Sequence, residues 1–266
     1  MDQIIQQIFI KKNIHDIVKN ELNAFKQIIE SEYCTELLLL KKNGLGSNVL
    51  MVACCYQPNA VKYILDSKYC SEKMIMLQQK KGFNSFIFAC SNQSKAVKYI
   101  IESEYCSEQM FNHQDQNGSN ALMIACQYKP DAVKYILDSK YCSEKLFLHQ
   151  TKRGNNALMI ACQDQPEAVK YILNSEYCSE ELFMHQNKKG YNAFMLACCY
   201  QPEAVQYILD SKYIYQLKVK YNQESYLTQL FYYTFYNKYH NILIIENSMA
   251  PIECASFLNY TNEKNA

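Results

Sequence analysis

The chain has 266 residues and a formal net charge of +1, and 49% of its residues are hydrophobic. The near-zero charge excludes a strong overall field that would draw the protein to nucleic acid or to a membrane surface. The longest aliphatic runs, at 37–40 and 242–245, are far too short to cross a bilayer, and no secretory signal pattern is present, so we expect a soluble, cytoplasmic protein.

At the N-terminus, residues 1–45 contain only part of a pattern that is complete further along the chain. The segment at 24–36 aligns with the one at 60–72, whereas the residues before it do not align. The segment IHDIVKN at 14–20 is a plausible helix. Because terminal units of a repeat array have one face toward water, residues 1–45 are interpreted as a degenerate capping repeat.

Five copies of one phrase, Gly-x-Asn-x-[Leu/Phe]-x-x-Ala-Cys, follow at intervals of 36 residues without insertion or deletion. The copies begin at Gly46, Gly82, Gly118, Gly154 and Gly190. A fixed period of this length is typical of a solenoid built from copies of one supersecondary unit. Residues 46–213 are therefore predicted to form five tandem 36-residue repeats.

Within a repeat, the copy beginning at Gly154 predicts a turn followed by a helix. Glycine permits the positive φ that such a turn needs, and Asn156 is a good N-cap. Leu158, Ala161 and Cys162 then recur at helical spacing and predict one apolar helical face.

A second helix is predicted to start at Pro166, since proline suits the first helical position. Val169, Ile172 and Leu173 predict its buried face. Ser179 is a candidate cap for a short third turn. On the exposed side we expect ion pairs four residues apart, namely Lys62–Asp66, Lys98–Glu102 and Lys134–Asp138.

Beyond the clear repeats, residues 214–247 are interpreted as a degenerate C-terminal capping repeat, in which Tyr226 stands where the repeat glycine is due. Residues 248–266 form a polar tail.

These residues together resemble the ankyrin repeat. Gly154, Leu158 and Ala161 fall at that family's offsets, while Asn156 and Met159 stand where the family has Thr and His. The unit has 36 residues rather than about 33, with a longer connection after the second helix. The resemblance implies an all-α fold: an ankyrin-like helical solenoid of paired antiparallel helices with short hairpin or loop connections.

Neither the cysteines nor the histidines predict chemistry. Most cysteines form two series at the repeat period, and no CxxC spacing occurs, so buried, reduced thiols are expected rather than zinc or disulfides. His113, His149 and His185 lie one repeat apart and cannot easily converge on one metal ion. No phosphate-binding loop or hydrolase motif is present, so we predict no catalytic, cofactor-binding or metal site and no enzyme.

Variation between the copies is concentrated at the repeat tips and at the exposed end of the first helix. In the resembled family these positions form the concave face that binds partners. The predicted partner-binding residues are Lys80, Lys81, Phe83, Tyr128, Lys152, Arg153, Asp164, Lys188, Lys189, Tyr191 and Tyr200. Lys41 and Lys42 are expected to extend the basic row, Asp115 to interrupt it, and Tyr56 to be equivalent to the other helix-end positions.

The function predicted from this pattern is a non-enzymatic protein–protein interaction scaffold whose concave face binds a partner, with an acidic or mixed segment. One alternative is binding of nucleic acid or phosphoinositide by the basic row, against which the near-neutral net charge counts. Others are a structural spacer in a larger assembly, or a solvated lysine edge that only maintains solubility.

Overall fold

In a computed structural model, the described residues are 13–213, so the predicted C-terminal cap at 214–247 and the tail at 248–266 lie outside them. Residues 13–213 form 17 helices in six successive units, with no strand among them. First helices pack against first helices of the next unit, and second helices pack against second helices. This arrangement confirms the predicted all-α solenoid. The division of the chain into repeats and caps remains a prediction.

The first helix of each unit forms the inner layer of the stack. These helices are α1 (Ile14–Asn20), α4 (Val49–Tyr56), α7 (Ser85–Asn92), α10 (Ala121–Tyr128), α13 (Ala157–Asp164) and α16 (Ala193–Tyr200). In α13 every side chain from Ala157 to Cys162 is buried, including Met159 and Ile160. The sequence predicts a single apolar face formed by Leu158, Ala161 and Cys162, but the buried surface of this helix is wider than that. Because α10, α16 and the second helix of the same unit (Pro166–Asn174) all pack against α13, almost its whole circumference is covered.

Second helices form the outer layer. They are α2 (Leu22–Glu30), α5 (Pro58–Leu65), α8 (Ser94–Glu102), α11 (Pro130–Leu137), α14 (Pro166–Asn174) and α17 (Pro202–Leu209). As predicted, α14 begins at Pro166 and buries Val169, Ile172 and Leu173, while Lys170 is exposed. Only one face of this layer meets the core, so these helices are amphipathic.

The predicted exposed ion pairs form only in part. Lys98 does pair with Glu102, at 3.8 Å. Lys134, however, pairs with Asp131, three residues before it, at 3.5 Å, and its ammonium also lies 4.7 Å from the ring centroid of Tyr171 in the next unit. The ring of Tyr171 thus competes with the carboxylate of Asp138 for the ammonium of Lys134, since an aromatic face attracts a cation.

A third, five-residue helix occupies the long connection after the second helix. These helices are α3 (Glu36–Leu40), α6 (Glu72–Met76), α9 (Glu108–Asn112), α12 (Glu144–Leu148) and α15 (Glu180–Met184). Ser179 caps α15 as predicted, because its hydroxyl accepts from the backbone N–H of Leu182 at 3.1 Å.

Three capping asparagines, Asn48, Asn120 and Asn156, each have two roles at the start of a first helix. The Oδ1 of Asn156 accepts from the N–H of Met159 at 2.9 Å, as the sequence predicts. Its Nδ2 also donates to the carbonyl oxygen of Leu182 in α15, at 2.8 Å. Asn48 and Asn120 repeat this second bond. The asparagine side chain therefore joins the first and third helices of its unit.

Aromatic contacts join one unit to the next on the side of the third helices. The rings of Phe147 and Tyr177 lie 5.6 Å apart, and those of Phe111 and Tyr141 lie 5.8 Å apart. Such pairs stabilise beyond the area they bury, so the interfaces that contain them gain from the contact.

Candidate partner-binding surface

The tip of each unit is a tight turn that ends at a glycine. Gly154 has φ +79°, and a Cβ added there would lie 3.0 Å from the backbone nitrogen of Lys188 in the next tip. Glycine is needed at this position for both reasons, the left-handed backbone and the close approach of the neighbouring turn. The hydroxyl of Thr151 starts the turn by accepting from the N–H of Asn155 at 3.1 Å.

Backbone hydrogen bonds join the successive tips into a row. The N–H groups of Gln116, Lys152 and Lys188 donate to the carbonyl oxygens of Lys81, Asn117 and Arg153, at 3.1, 2.9 and 3.1 Å. Backbone atoms alone make these bonds, so the side chains of the row are not required for them.

Half-buried histidines form hydrogen bonds to the glycines of the same row of tips. The Nε2 atoms of His113, His149 and His185 donate to the carbonyl oxygens of Gly82, Gly118 and Gly154, at 2.7, 2.7 and 2.8 Å. Each histidine thus binds the tip glycine that begins its own repeat, 31 residues earlier, and helps to hold that turn in place.

The six predicted basic tip residues are all exposed: Lys80, Lys81, Lys152, Arg153, Lys188 and Lys189. They occupy three of the five tips. The tip between them contains Gln116 and Asn117, and the first tip contains Gly44 and Leu45. The basic row is therefore divided into two parts, one at Lys80–Lys81 and one at the last two tips.

Two details of the predicted row are corrected by the structure. Lys41 and Lys42 precede the first turn, which begins at Asn43, and so they are not tip residues. Asp115 is buried, and its Oδ1 accepts from the N–H groups of Asn117 and Ser119, both at 2.8 Å. The carboxylate stabilises its own turn, as short polar side chains commonly do, instead of adding negative charge to the exposed edge.

The other predicted partner-binding residues differ in exposure. Tyr128, Tyr191 and Tyr200 are 48%, 43% and 50% exposed, and Tyr56, at the helix end equivalent to Tyr128, is 54% exposed. Phe83 is half-buried because its ring packs edge-on against Phe88, with centroids 5.5 Å apart.

Asp164 is the acidic member of the helix-end positions, at the C-terminal end of α13. Its side chain is exposed enough to meet a partner, and partial burial raises the pKa of its carboxyl group. Asp164 therefore places a carboxylate in the C-terminal half of the surface. Tyr56 and Tyr128 occupy the equivalent helix-end position in two units of the N-terminal half.

A groove with a volume of about 760 Å³ lies between the tips and the C-terminal ends of the first helices in the N-terminal half of the array. We call it the N-terminal groove. Its lining includes the side chains of Asp16, Lys19, Leu45, Tyr56, Lys80, Lys81, Phe83, Phe88 and Tyr128. It brings together four of the predicted residues, Lys80, Lys81, Phe83 and Tyr128, whereas the remaining seven lie beyond it.

Sequence reasoning missed Lys19, Leu45 and Phe88 as lining residues of the N-terminal groove. The signal was available, because Leu45 lies 36 residues before Lys81 and so occupies the same tip position. The ammonium of Lys19 lies 4.3 Å from the ring centroid of Tyr56, a cation–π contact between the first two units.

His15 closes one end of the N-terminal groove. Its Nε2 lies 3.0 Å from the carbonyl oxygen of Lys41 and 3.2 Å from that of Ser47, which joins α1 to the first tip. Burial is the main influence on the imidazole and lowers its pKa below 6.5, since the charged form loses water.

The buried thiols have no arrangement that indicates catalysis. Cys90 and Cys126 are fully buried in the inner layer, and burial raises the pKa of each. Because the thiolate is the nucleophilic form, such thiols are poor nucleophiles near neutral pH. Among residues 13–213, no group of three or more His, Cys, Asp or Glu side chains could hold a metal ion, and no helix is long and apolar enough to span a membrane.

Solved structures similar to this chain share its fold at low sequence identity. The crystal structure of EF0377, an ankyrin repeat protein, has a TM-score of 0.58 and 17% identity, covering 75% of this chain and 98% of that one. A chain from the complex of the Bdellovibrio bacteriovorus predatory endopeptidase Bd0816 with the immunity protein Bd3460 has a TM-score of 0.58 and 18% identity, covering 76% and 99%. The ankyrin repeat domain of Bcl-3, a member of the IκB protein family, has a TM-score of 0.53 and 16% identity, covering 71% and 80%.

Among curated proteins, none has a sequence that matches significantly. The family model described as ankyrin repeats (3 copies) matches residues 69–147, 104–184 and 142–220, which together make up more than half of the chain. The helical pairs, the glycine-ended tips and this match agree. The chain belongs to the ankyrin repeat family.

Proposed function

We infer that this protein is a non-enzymatic scaffold that binds a protein partner on the surface formed by the tips and the ends of the first helices. Ankyrin repeats generally mediate protein–protein interactions, and one of the structural neighbours comes from a complex between an endopeptidase and an immunity protein. For this chain, the observation that carries the proposal is a row of tips joined by backbone hydrogen bonds, whose exposed side chains differ between units.

The chemistry of the exposed side chains supports a protein partner with an acidic or mixed segment. Lys152, Arg153, Lys188 and Lys189 stand on adjacent tips, and Tyr191 and Tyr200 are exposed in the last of those units. Tyrosine and arginine are enriched in the energetically important parts of protein interfaces. The neutral tip at Gln116 and the carboxylate of Asp164 interrupt the positive charge, which favours a protein over a continuous polyphosphate.

Charge reversal tests the proposal. Replacing Lys152, Arg153, Lys188 and Lys189 with glutamate should abolish recovery of crosslinked protein partners from the native cell, because complementary charges would become like charges. The variant should keep the wild-type circular dichroism spectrum and melting temperature, since the tips are joined by backbone atoms. Unchanged partner recovery by a folded variant would refute the proposal.

The compartment is part of the same proposal: we place the scaffold in the cytoplasm. Fully buried cysteines such as Cys90 and Cys126 suit a reducing environment. Imaging of a fluorescent fusion in the native cell checks this, and a secreted or lumenal signal would contradict it.

A further inference from the structure

We propose that the N-terminal groove determines specificity by binding an extended acidic segment of about seven to nine residues that carries one apolar anchor residue. The inference rests on the proposed function, because it names the part of a partner that the scaffold recognises. Three features of the groove lead to it: its length, its charge and its exposed apolar side chains.

The length of the groove limits the size of the segment. Its lining runs from Lys19 in the first unit to Tyr128 in the fourth, which is three steps along the stack. Adjacent packed helices are about 8–10 Å apart, so the groove spans roughly 24–30 Å. An extended chain advances about 3.3 Å per residue, and seven to nine residues therefore fill it.

Charge in the groove is predominantly positive and comes from three exposed lysines. Lys19 lines the groove from the first helix of the first unit, and Lys80 and Lys81 line it from the second tip. Asp16 is the single carboxylate among the lining residues. An excess of positive side chains in the lining favours a segment with several Asp or Glu residues over a neutral one.

Two apolar side chains of the groove are more than half exposed, and among residues 13–213 the only lysine ammonium that lies over one of them is that of Lys19, over the ring of Tyr56. Leu45 is 74% exposed, and Tyr56 is 54% exposed. Phe83 and Phe88 form an aromatic pair nearby. One Leu, Met, Phe or Tyr side chain from a bound segment would cover this surface, and such central apolar anchors commonly provide most of the binding energy of an interface.

The equivalent surface in the C-terminal half lacks this combination. Asp164 occupies one helix-end position there, although Tyr200 occupies the next, and the carboxylate of Asp164 would repel an acidic segment. Lys188 and Lys189 occupy the same tip positions as Lys80 and Lys81 but lie three units away, roughly 30 Å along the stack. At physiological salt, charges are screened over about 8 Å, so these two lysines do not act on a segment in the N-terminal groove.

The probe for this proposal is a library of random nine-residue peptides displayed on phage and selected on the full-length chain. We expect the selected peptides to contain an excess of Asp and Glu around one Leu, Met, Phe or Tyr. Synthetic copies labelled with fluorescein then give dissociation constants by anisotropy. Failure to select any peptide above background, or selection of peptides with no acidic excess, would overturn the proposal.

Two groove variants and one matched control locate the binding. The double variant Lys80→Glu/Lys81→Glu and the single variant Tyr56→Ala should each weaken peptide binding about tenfold or more. The control Lys145→Glu/Lys170→Glu makes the same charge change at two exposed lysines that belong neither to the groove nor to the tips, and it should alter binding less than about twofold. Equal weakening by the two double variants would place the peptide elsewhere and overturn the assignment.

The experiments distinguish failure of the groove assignment from failure of the proposed scaffold function. If crosslinked partner recovery depends on the C-terminal tips while the folded groove variants bind as wild type does, the groove assignment is wrong and the scaffold function stands. If neither the tip variants nor the groove variants reduce partner recovery, the scaffold function itself is wrong. Melting temperatures of all variants confirm that each is folded.

Discussion

Replacement of Asn156 by alanine tests how much the two side-chain hydrogen bonds of a capping asparagine stabilise a unit. The wild-type side chain is 1% exposed, and it makes two hydrogen bonds, one to the first turn of α13 and one to the carbonyl oxygen of Leu182 in α15. Because α15 has only five residues and ends at Met184, no later residue of that helix can bond this carbonyl. Asn156→Ala therefore leaves a buried acceptor without its partner.

The size of the effect follows from the two bonds. Loss of an asparagine N-cap costs about 1 kcal/mol, and a buried polar group left without a partner costs about 1–3 kcal/mol. We expect the free energy of unfolding to fall by about 2–4 kcal/mol. With a urea m-value of about 2–3 kcal/mol per molar, the unfolding midpoint should fall by roughly 1 M.

The assay is equilibrium urea unfolding of the full chain, followed by circular dichroism, with the slope of the transition compared between variants. Asn84→Ala is the matched control. Asn84 makes the same N-cap bond at 2.9 Å, but its Nδ2 lies 3.9 Å from the sulfur of Met76, a weak acceptor, instead of on a carbonyl. The control should lose only about 1 kcal/mol. Equal losses in the two variants would show that the bond to Leu182 does not stabilise the unit.

Three other perturbations have expected outcomes. Gly154→Ala should destabilise more than Gly46→Ala in thermal unfolding, because both glycines have φ near +80° but an added Cβ would lie 3.0 Å from the backbone nitrogen of Lys188 at Gly154 and 3.8 Å from its nearest atoms at Gly46; equal melting temperatures would contradict this. Ala161→Phe should unfold several units, since Ala161 is fully buried and its helix is packed on both sides; a wild-type melting curve would show that the site tolerates the added volume. His15→Gln should make the free energy of unfolding less sensitive to acid. The pKa of His15 in the folded protein lies below 6.5, so the unfolded chain binds more protons at acidic pH. Wild-type stability is therefore lost as the pH falls from about 6.5 through the folded-state pKa. Melting temperatures at pH 7.5 and 5.5 measure this, and an unchanged difference in the variant would exclude His15 as a cause.

The repeat period of 36 residues was enough to predict the fold and the local features of each unit. The N-cap at Asn156, the helix start at Pro166, the cap at Ser179 and the turn glycine at Gly154 were all predicted and are all present. Each depends on residues within four positions along the chain, where residue type alone restricts the backbone.

For the binding surface, sequence comparison of the copies predicted which side chains vary and that the tip lysines would be exposed. It did not separate the residues that line the N-terminal groove from those that do not. Lys19 and Leu45 were overlooked because they belong to the least regular part of the array. The prediction for Asp115 was wrong because a charged residue in a variable tip is expected to be exposed. The hydrogen bonds that its carboxylate accepts from Asn117 and Ser119 appear only in the structure.

By itself, then, the sequence determined the solenoid and the helix caps within its units, because a strict period repeats the same short-range restrictions in every unit. The tertiary structure alone decided which distant atoms meet. Asn156 reaches Leu182, 26 residues later, and His185 reaches Gly154, 31 residues earlier. Lys19 lies over Tyr56 beside the tip of Lys80 and Lys81. Contacts of this kind depend on how closely and at what angle successive units stack, which a repeating pattern along the chain does not specify.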